Sequence, residues 1–306
     1  MNVLSTGWTI PRPSGLAIGV FDGVHQGHAA VISGLVEQCR SSGLEVGVLT
    51  FDPHPVEVLA PDYAPDLLMP VPRRIDLLKQ LGVGWVGILD LGEIRMMSPQ
   101  EFITRILVGR ASARLVSVGD DFRFGHDRAG DVHTLTEEGR RHGFEVVSVD
   151  LVSDDGGVIS SSRIRRLVSA GQVSKAAVLL GRPHRLTGPV IRGDARGRLL
   201  GFPTANLALP PDLAVPADGI YAVRVSGTVS GEGVASLGVR PTFGEDGHRL
   251  LEVHLFDFTG DLYETILDVD FVERLRGEER FQSVDDLVSQ MERDASDARQ
   301  ALDRRK

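Results

Sequence analysis

Residues 16–28 read LAIGVFDGVHQGH, and this stretch decides the fold of the first half of the chain. The compact apolar run Leu16–Phe21 predicts a buried strand, and the Asp-Gly pair that follows is typical of a turn. A helical pattern begins directly afterwards, over about residues 28–40. A helix start presents unpaired N–H groups and the positive end of the helix dipole, so this junction favours phosphate binding.

Two imidazoles stand at this junction, on His25 and His28. Both can donate hydrogen bonds to phosphate oxygens and stabilise the charge that develops on a phosphorus under attack. A zinc pair is the alternative, but no glutamate lies between the histidines and no third ligand is apparent. Two ordinary structural histidines are a further alternative. The surrounding candidates for phosphate contact are Gly19, Phe21, Asp22, Gly23 and Gly27.

Further apolar runs alternate with helical patterns as far as residue 149. The predicted strands are 46–51, 85–91, 115–118 and 144–149, and the predicted helices between them are 73–81 and 100–108. Continuous apolar strands that alternate with helices predict a parallel sheet covered on both faces. The first half is therefore predicted to be a doubly wound α/β domain, with its ligands at the carboxyl ends of the strands.

The pattern changes after residue 157. A helix pair, 164–170 and 173–180, precedes short alternating runs at 221–225, 233–237, 251–256 and 266–271, which predict an antiparallel barrel or sandwich. A terminal helix follows Ser283, which forms a predicted capping box with Asp286. Its predicted apolar face holds Val284, Leu287, Val288, Met291, Ala295, Ala298 and Leu302. We expect two domains, 1–182 and 183–306.

Composition excludes several classes of protein. The 306 residues carry a net charge of −9, with 30 arginines and three lysines, and no lysine lies in a GxxxxGK[ST] P-loop. The acidic balance argues against a nucleic-acid surface. Cys39 is the single cysteine, which excludes an intramolecular disulfide and a cysteine-based zinc site. No run of about 18 apolar residues and no signal-peptide pattern is present, so we expect a cytoplasmic protein without a membrane span.

A second group of motifs lies at 188–207, which reads GPVIRGDARGRLLGFPTANL. Its glycines and arginines predict a basic loop that binds a triphosphate through N–H groups and guanidiniums, with Arg192, Gly193, Gly197 and Arg198 as the candidates. Thr204 and Asn206 offer neutral oxygens on one face of an extended chain, which suits Mg²⁺ beside phosphates. An ordinary glycine-rich turn before a polar strand is the alternative.

The motifs together resemble a known family. The HxGH signature after a first strand is similar to the nucleotidyltransferase superfamily, and GVFDGVHQGH resembles the bacterial bifunctional riboflavin kinase/FMN adenylyltransferase (FAD synthetase) family. In the first half the resemblance extends to TFDPHP (50–55), SPQEFI (98–103), VGDDFRFGHDRAGD (118–131) and ISSSRIR (159–165). In the second half it extends to LGFPTANL (200–207), PADGIYA (216–222), LGVRPTFG (237–244), LEVHLFDF (251–258) and LRGEERF (275–281).

The resemblance implies that the α/β domain is followed in the sequence by a six-stranded barrel with a terminal helix. It also implies two reactions: ATP and Mg²⁺ phosphorylate riboflavin to FMN in the barrel, and a second ATP converts FMN to FAD in the first domain. Glu252 becomes the expected general base, although a solvent-facing strand glutamate is the alternative, and Asn206 is a further expected catalytic residue. Expected flavin contacts are Asp52, His54, Asp121, Phe122, Phe124 and Arg276. Expected contacts of a second phosphate clamp are Ser161, Ser162 and Arg165, which a simple helix cap would also explain.

Two other functions stay open at this point. One half of the chain could be inactive or use a different nucleotide, or the whole chain could be a flavin-binding regulator that has lost turnover. The predicted partners are riboflavin, FMN, FAD and ATP, without nucleic acid or membrane, and the sequence does not predict an oligomeric state. One residue departs from the family pattern: Glu264 stands in a turn where glycine is usual, so we expect altered loop geometry there at most.

Overall fold

A parallel sheet carries the first half of the chain, and the apolar run before the histidine motif is one of its inner strands. The computed structural model describes residues 2–5, 7–193, 197, 200–239 and 249–305. The sheet has six strands in the order β1-β4-β3-β2-β5-β8, and every pairing is parallel. The strands in this half are β1 (Asn2–Leu4), β2 (Ser14–Ile18), β3 (Glu45–Phe51), β4 (Trp85–Leu89), β5 (Ala113–Gly119), β6 (Arg123–Phe124), β7 (Gly130–Asp131), β8 (Glu145–Val149), β9 (Ser153–Asp154) and β10 (Gly157–Val158).

Helices connect these strands, as the doubly wound prediction requires. They are α1 (Gln26–Ser42), α2 (Pro55–Leu59), α3 (Val71–Gln80), α4 (Leu91–Ile94), α5 (Pro99–Glu101), the π-helical Phe102–Arg110 and α6 (Val132–His142), with 3₁₀ turns at Pro61–Tyr63 and His126–Arg128. Buried apolar residues of α4, the π-helical segment and α6 pack with those of the sheet strands in one core. The fold class predicted for this half is confirmed.

Several details of this half differ from the prediction, which did not include the helices α2 and α6. Strand β1 was not predicted, because three residues are too few to show a hydrophobic period. The helix predicted over 100–108 is α-helical only at Pro99–Glu101, and the π-helical segment follows it. There the Ala111 N–H bonds to the carbonyl five residues earlier, Ile106 O, at 2.9 Å.

A closed antiparallel barrel forms the second half. Its strands are β11 (His184–Ile191), β12 (Ala205–Leu207), β13 (Gly219–Gly227), β14 (Gly231–Val239), β15 (Arg249–Leu255) and β16 (Ile266–Arg276), in the order β11-β12-β15-β14-β13-β16. Alternate residues of each strand point into the barrel, where they form a second buried core. The strand pattern in the sequence was compatible with either a barrel or a sandwich. Because the six strands close on themselves, the structure is a barrel.

Three helices accompany the barrel: α7 (Ser161–Ser169), α8 (Val173–Leu180) and α9 (Val284–Asp303). The chain forms two compact units, one up to Pro65 with Pro70–Ser160, and a second with Asp66–Met69 and everything from Ser161. Helix α8 lies in the second unit, where Ser174 Oγ donates to Val272 O at 2.9 Å. The predicted limit of the functional domains at residue 182 stays a prediction.

Helix α9 begins at the predicted cap. Ser283 Oγ accepts from the Asp286 N–H at 3.1 Å and donates to the Asp286 carboxylate at 2.6 Å. The apolar face packs on the barrel through Ala298 and Leu302, among others. Val284 was wrongly predicted to belong to the apolar face. It is 60% exposed and lies in the first turn of the helix, where residues 284–286 are all exposed. In the described part of the chain, no helix is both long and apolar enough to cross a membrane.

Candidate active sites

The histidine motif forms the start of helix α1 at the carboxyl end of β2. His25 is the N-cap residue, and its Nδ1 accepts a hydrogen bond from the His28 N–H at 3.3 Å. The two imidazole rings stack, with centroids 3.6 Å apart and planes 16° apart. The edge of Phe21 meets the His28 ring at 5.1 Å. The predicted pair of imidazoles therefore lies at the positive end of the α1 dipole.

The loop before these histidines has an unusual backbone. Phe21 and Val24 adopt positive φ angles of 53° and 37°. A β-branched valine is rare in this left-handed region, and such conformations are concentrated at binding sites. Gly27 follows on the helix, and a methyl group there would lie 3.2 Å from the His25 ring. Glycine at this position thus leaves the space that the His25 ring fills.

The remaining loop candidates differ in exposure. Asp22 and Gly23 are buried, and Asp22 is only 1% exposed. Gly19 lies against the ring of Phe21, where a methyl group would be 3.2 Å from the ring edge. The loop backbone is therefore packed into the domain, whereas His28 stays half-exposed.

The residues predicted to contact flavin in the first unit lie in the loops that follow β3 and β5, the two strands beside β2. Strand β3 ends in the Asp52–His54 segment, where His54 caps α2 through Nδ1 and the Val56 N–H at 3.2 Å. Strand β5 leads to Asp121 and to the stacked rings of Phe122 and Phe124, 5.5 Å apart. Since β3, β2 and β5 are neighbours and parallel, these three loops meet at one edge of the sheet.

Arg74 is a buried cation at this edge that the sequence analysis missed. It is 1% exposed, and its Nη1 donates to Thr50 Oγ1 at 3.3 Å and to Phe51 O at 3.1 Å. The guanidinium therefore fixes the end of β3 directly before Asp52. The sequence held a signal for this burial, because Arg74 lies three and four residues before Leu77 and Leu78 and so shares the buried face of α3 with them.

The ISSSRIR segment forms the start of helix α7, as its sequence suggests. Ser161 is the first helical residue, Ser162 follows it, and Arg165 is one turn further along. This helix belongs to the second unit. The hydroxyls and the guanidinium are thus grouped on the first turns of one helix, and their part in phosphate binding stays a prediction.

In the barrel, closure places Asn206 directly opposite Glu252. The two residues are register partners on strands β12 and β15, and Glu252 is in turn opposite Ser236 on β14. Directly paired antiparallel residues have Cβ atoms about 4.5–5.5 Å apart. An amide, a carboxylate and a hydroxyl therefore form a row across three strands. Ser236 is a polar member of this row that the sequence analysis did not single out.

Asn206 carries a polar atom suited to a cation. The residue is 5% exposed, and its Oδ1 is buried without a hydrogen-bond partner among the described residues. Thr204, two residues earlier, lines the same surface cleft as Asn206. Gly193 lies so close that a methyl group there would overlap the Asn206 amide. Neutral side-chain oxygens suit a hard divalent cation that keeps most of its ligands from phosphate and water. No group of three or more His, Cys, Asp or Glu side chains in the described regions forms a further metal site.

Two clefts of about 630 Å³ each meet at Thr204 and Asn206. The first, here called the Glu252 cleft, is lined by Gly197, Leu200, Phe202, Ile220, Val234, Ala235, Ser236, Glu252, His254, Arg276, Glu278, Glu279, Arg280, Phe281, Leu287, Met291 and Asp294, besides Thr204 and Asn206. The second, here called the Tyr263 cleft, is lined by Val190, Pro203, Ala205, Val253, Leu255, Phe258, Thr259, Gly260, Asp261, Leu262 and Tyr263, besides the same pair.

The predicted basic loop borders these clefts where the structure describes it. The Arg192 guanidinium lies 5.0 Å from the centre of the Tyr263 ring. Gly197 turns tightly onto Phe202, whose N–H bonds to the Gly197 carbonyl at 2.8 Å. Arg198 lies outside the described residues. Glu264 adopts a φ of 63°, which explains why a glycine suits this turn.

Arg276 lies in the Glu252 cleft but is held by an acidic partner. Its Nε and Nη2 donate to the two carboxylate oxygens of Asp294 at 2.8 and 2.6 Å. This hydrogen bonding raises the pKa of Arg276 above its usual value. Asp294 comes from α9 and was not singled out from the sequence, since nothing local relates it to Arg276.

Comparison with protein families identifies both halves. The family model described as FAD synthetase matches residues 9–163, and the model described as riboflavin kinase matches residues 180–302. The FAD synthetase match covers the histidine motif, and the riboflavin kinase match covers the Asn206–Glu252 row.

Individual relatives match nearly the whole chain. The bifunctional riboflavin kinase/FMN adenylyltransferase of Escherichia coli K12 is 39% identical, over 93% of this chain and 91% of its own. The enzyme of the same description from Pseudomonas fluorescens is 41% identical, over 92% and 91%. A crystal structure described as a macrolide-efflux protein from Streptococcus pneumoniae has a TM-score of 0.88 at 33% identity, with coverage of 96% and 97%.

These matches extend over both units, and they agree with the sheet, the barrel and the two groups of site residues described above. The families of both domains use ATP, generally with a divalent metal. The chain belongs to the bifunctional riboflavin kinase/FMN adenylyltransferase family.

Proposed function

We propose that this chain carries out both reactions of its family: it phosphorylates riboflavin with ATP to FMN in the barrel, and it joins FMN to AMP from a second ATP in the α/β unit. The pairing of Asn206 with Glu252 carries the first assignment. Supporting it, the candidate base Glu252 lines the first cleft, and its register partner Asn206, the candidate metal ligand, lines both.

Glu252 acts in the kinase step as the general base. Its carboxylate accepts the proton of the ribityl 5′-hydroxyl as that oxygen attacks the γ-phosphorus of ATP and ADP leaves. Thr204 and Asn206 hold a divalent cation, for which Mg²⁺ is our proposal, and Asn206 Oδ1 is available for it. When bound, such a cation neutralises charge on the phosphates.

The two substrates enter from different sides of this pair. The Tyr263 cleft takes ATP, because Arg192 and Gly193 adjoin it and a guanidinium and free backbone N–H groups suit phosphates. The Glu252 cleft takes riboflavin, because apolar side chains of Phe281, Leu287 and Met291 line it beside the general base.

In the adenylyltransferase step the FMN phosphate is the nucleophile. One of its oxygens attacks the α-phosphorus of ATP, and pyrophosphate leaves, so no covalent intermediate with the chain is required. His25 and His28 donate hydrogen bonds to the phosphate oxygens on which charge develops. Gly19, Phe21, Asp22, Gly23 and Gly27 shape that loop, and the phosphate contacts expected of Ser161, Ser162 and Arg165 stay a prediction.

The flavin of this second step binds at the neighbouring loops of the sheet. Phe122 and Phe124 offer aromatic faces, and Asp52, His54 and Asp121 offer hydrogen-bonding groups beside them. The proposed limits of the two functional domains are 1–182 and 183–306. The cytoplasmic location stays a prediction.

Chromatography of the flavins formed by the purified chain tests this function. With riboflavin and Mg-ATP, we expect FMN to form first and FAD to follow, with one ADP released for each riboflavin phosphorylated and one pyrophosphate for each FAD formed. FMN without FAD would mean that only the barrel is active. Riboflavin that binds tightly but is recovered unchanged would instead identify a flavin-binding regulator.

A further inference from the structure

Asp294, a buried carboxylate of helix α9, has no part in the phosphoryl transfer described above. Its side chain is 7% exposed. Besides the two bonds from Arg276, it accepts one from Gln290 Nε2, a turn earlier on the same helix, at 2.8 Å. A buried charge is costly unless it is paired and hydrogen-bonded, and these three bonds satisfy both requirements. The carboxylate is thus a fixed support for the guanidinium.

Arg276 presents the rest of its guanidinium to the cleft. Nη1 donates to Gly277 O at 2.9 Å, so the described bonds use three of the five N–H groups. One N–H on Nη1 and one on Nη2 are left for a ligand. The guanidinium also lies 5.9 Å from the centre of the Phe281 ring, within the range of a cation–π contact. The carboxylate of Asp294 and the ring of Phe281 together therefore fix the orientation of the guanidinium plane.

The surroundings indicate what such a guanidinium would bind. Leu287 and Met291 of α9 line the same cleft together with Phe281. A planar cation with two N–H donors beside apolar walls suits a flat heteroaromatic ring with oxygen acceptors on one edge. The isoalloxazine ring of riboflavin has this chemistry, and this step rests on the function proposed above.

We propose that Asp294 is a positioning residue for flavin recognition in the kinase reaction. It orients Arg276 so that the remaining N–H groups meet the carbonyl edge of the isoalloxazine ring. Helix α9 thereby contributes to the choice of substrate through a residue that does not itself touch the flavin. Because Asp294 acts on binding, its loss changes the KM for riboflavin and leaves the transfer step intact.

The barrel offers a matched control in a second ion pair of the same geometry. Arg185 on β11 donates through Nε and Nη2 to both carboxylate oxygens of Asp270 on β16, at 2.7 and 2.6 Å. Neither residue is among the described residues that line the two clefts. Asp270→Asn therefore removes one carboxylate from a pair of the same hydrogen-bond geometry, while Arg185 keeps a second partner, Asp268, at 2.6 Å.

Steady-state kinase kinetics on the full-length variants test the proposal. We expect Asp294→Asn to raise the KM for riboflavin by about tenfold, with kcat and the KM for ATP within about threefold of wild type. Asp270→Asn should leave all three constants unchanged. The urea unfolding transition of each variant reports whether its barrel is folded. An unchanged KM for riboflavin, or an equal rise in the KM for ATP, would overturn the positioning role.

A double variant tests whether Asp294 acts through Arg276. Arg276→Met with Asp294→Leu removes both charges and leaves none buried. We expect it to reproduce the KM of Arg276→Met alone, and a further rise of more than about threefold contradicts the proposal. A wild-type chain that forms no FMN contradicts the proposed function and this inference with it. An active wild type with a silent Asp294→Asn refutes the inference alone.

Discussion

His25 and His28 lie face to face at the start of helix α1, with ring centroids 3.6 Å apart, and the Nδ1 of one accepts the backbone N–H of the other. His25 thus has two roles, as the helix cap and as a candidate phosphate ligand. Asparagine is also a good N-cap but has no imidazole, so substitution can separate the two roles.

We expect His25→Asn and His28→Asn each to lower the rate of FAD formation by about 10²–10³-fold, the usual effect of removing one donor to a developing charge. FMN formation by the same chain is the internal control and should stay at the wild-type rate. Coupled assays of pyrophosphate and ADP release measure the two activities separately. FAD formation near the wild-type rate would contradict the role assigned to the pair.

Glu252→Gln keeps the shape of the side chain and removes the base. We expect kcat for FMN formation to fall by about 10²–10⁴-fold, the range typical of a general base, while FMN is still converted to FAD. Glu232→Gln is the matched control, because Glu232 is also a strand glutamate and its partner is Arg224 at 3.4 Å. Equal losses in both variants would show a structural effect of the barrel.

Gly193→Ala should disturb the proposed cation site, since the added methyl group would overlap the Asn206 amide. We expect a higher Mg²⁺ concentration for half-maximal kinase rate, by about tenfold, which corresponds to about 1.4 kcal/mol. Removal of divalent cations with a chelator should abolish FMN formation, and added Mg²⁺ should restore it. A Mg²⁺ titration identical to that of wild type would argue against the site.

Gly34→Ala serves as the control glycine and has a prediction of its own. Gly34 lies within α1, and apart from its chain neighbours and the local helix backbone no described atom lies within 4 Å of the position of an added methyl group. Alanine in a helix interior is more stable than glycine by roughly 0.5–1 kcal/mol. We expect urea unfolding of the α/β unit to show this gain, with both activities unchanged. A destabilised variant would mean that the helix surface is covered there.

The Glu101 carboxylate makes the stability of the α/β unit depend on acid pH. The Ser98 N–H and hydroxyl donate to it at 2.8 and 2.9 Å, and these bonds lower the pKa of Glu101 below its usual value. A lowered pKa contributes stability above the unfolded value of about 4.3, and this is lost as the pH falls through the folded pKa.

We therefore expect wild type to exceed Glu101→Gln in unfolding free energy at neutral pH, with a difference that shrinks as the pH falls below the unfolded value and disappears below the lowered pKa of folded Glu101. Denaturant unfolding at several pH values measures it. A difference that is independent of pH would show that the charge of Glu101 contributes nothing.

Local signals predicted most of the fold. The strand, loop and helix around His25 and His28 follow from an apolar run, a turn and a cap, all within a few residues. The alternation in β13–β16 is equally local. Local signals could not predict that Asn206 and Glu252 are paired across β12 and β15, because the register between distant segments is set only when the barrel closes.

Buried charges were the other gap. The positions of Arg74 and Asp294 are on the inward faces of helices, where a sequence pattern predicts apolar residues. Their partners, Phe51 O and Arg276, come from distant strands, so only the packed structure explains why charges are tolerated there. The residue types also grouped Thr204 with Asn206, and both side chains line the same two clefts. That they bind a cation stays a prediction.

Two cavities of similar size share Thr204 and Asn206 among their lining residues, where the chain enters the short strand β12. A single inhibitor could exploit this arrangement, with one arm in each cleft and a linker that passes Asn206. The second arm would then bind at a high effective concentration, so two weak fragments would combine into a tight ligand without new contacts. Such a compound would stop FMN formation and leave the histidine pair of the α/β unit accessible.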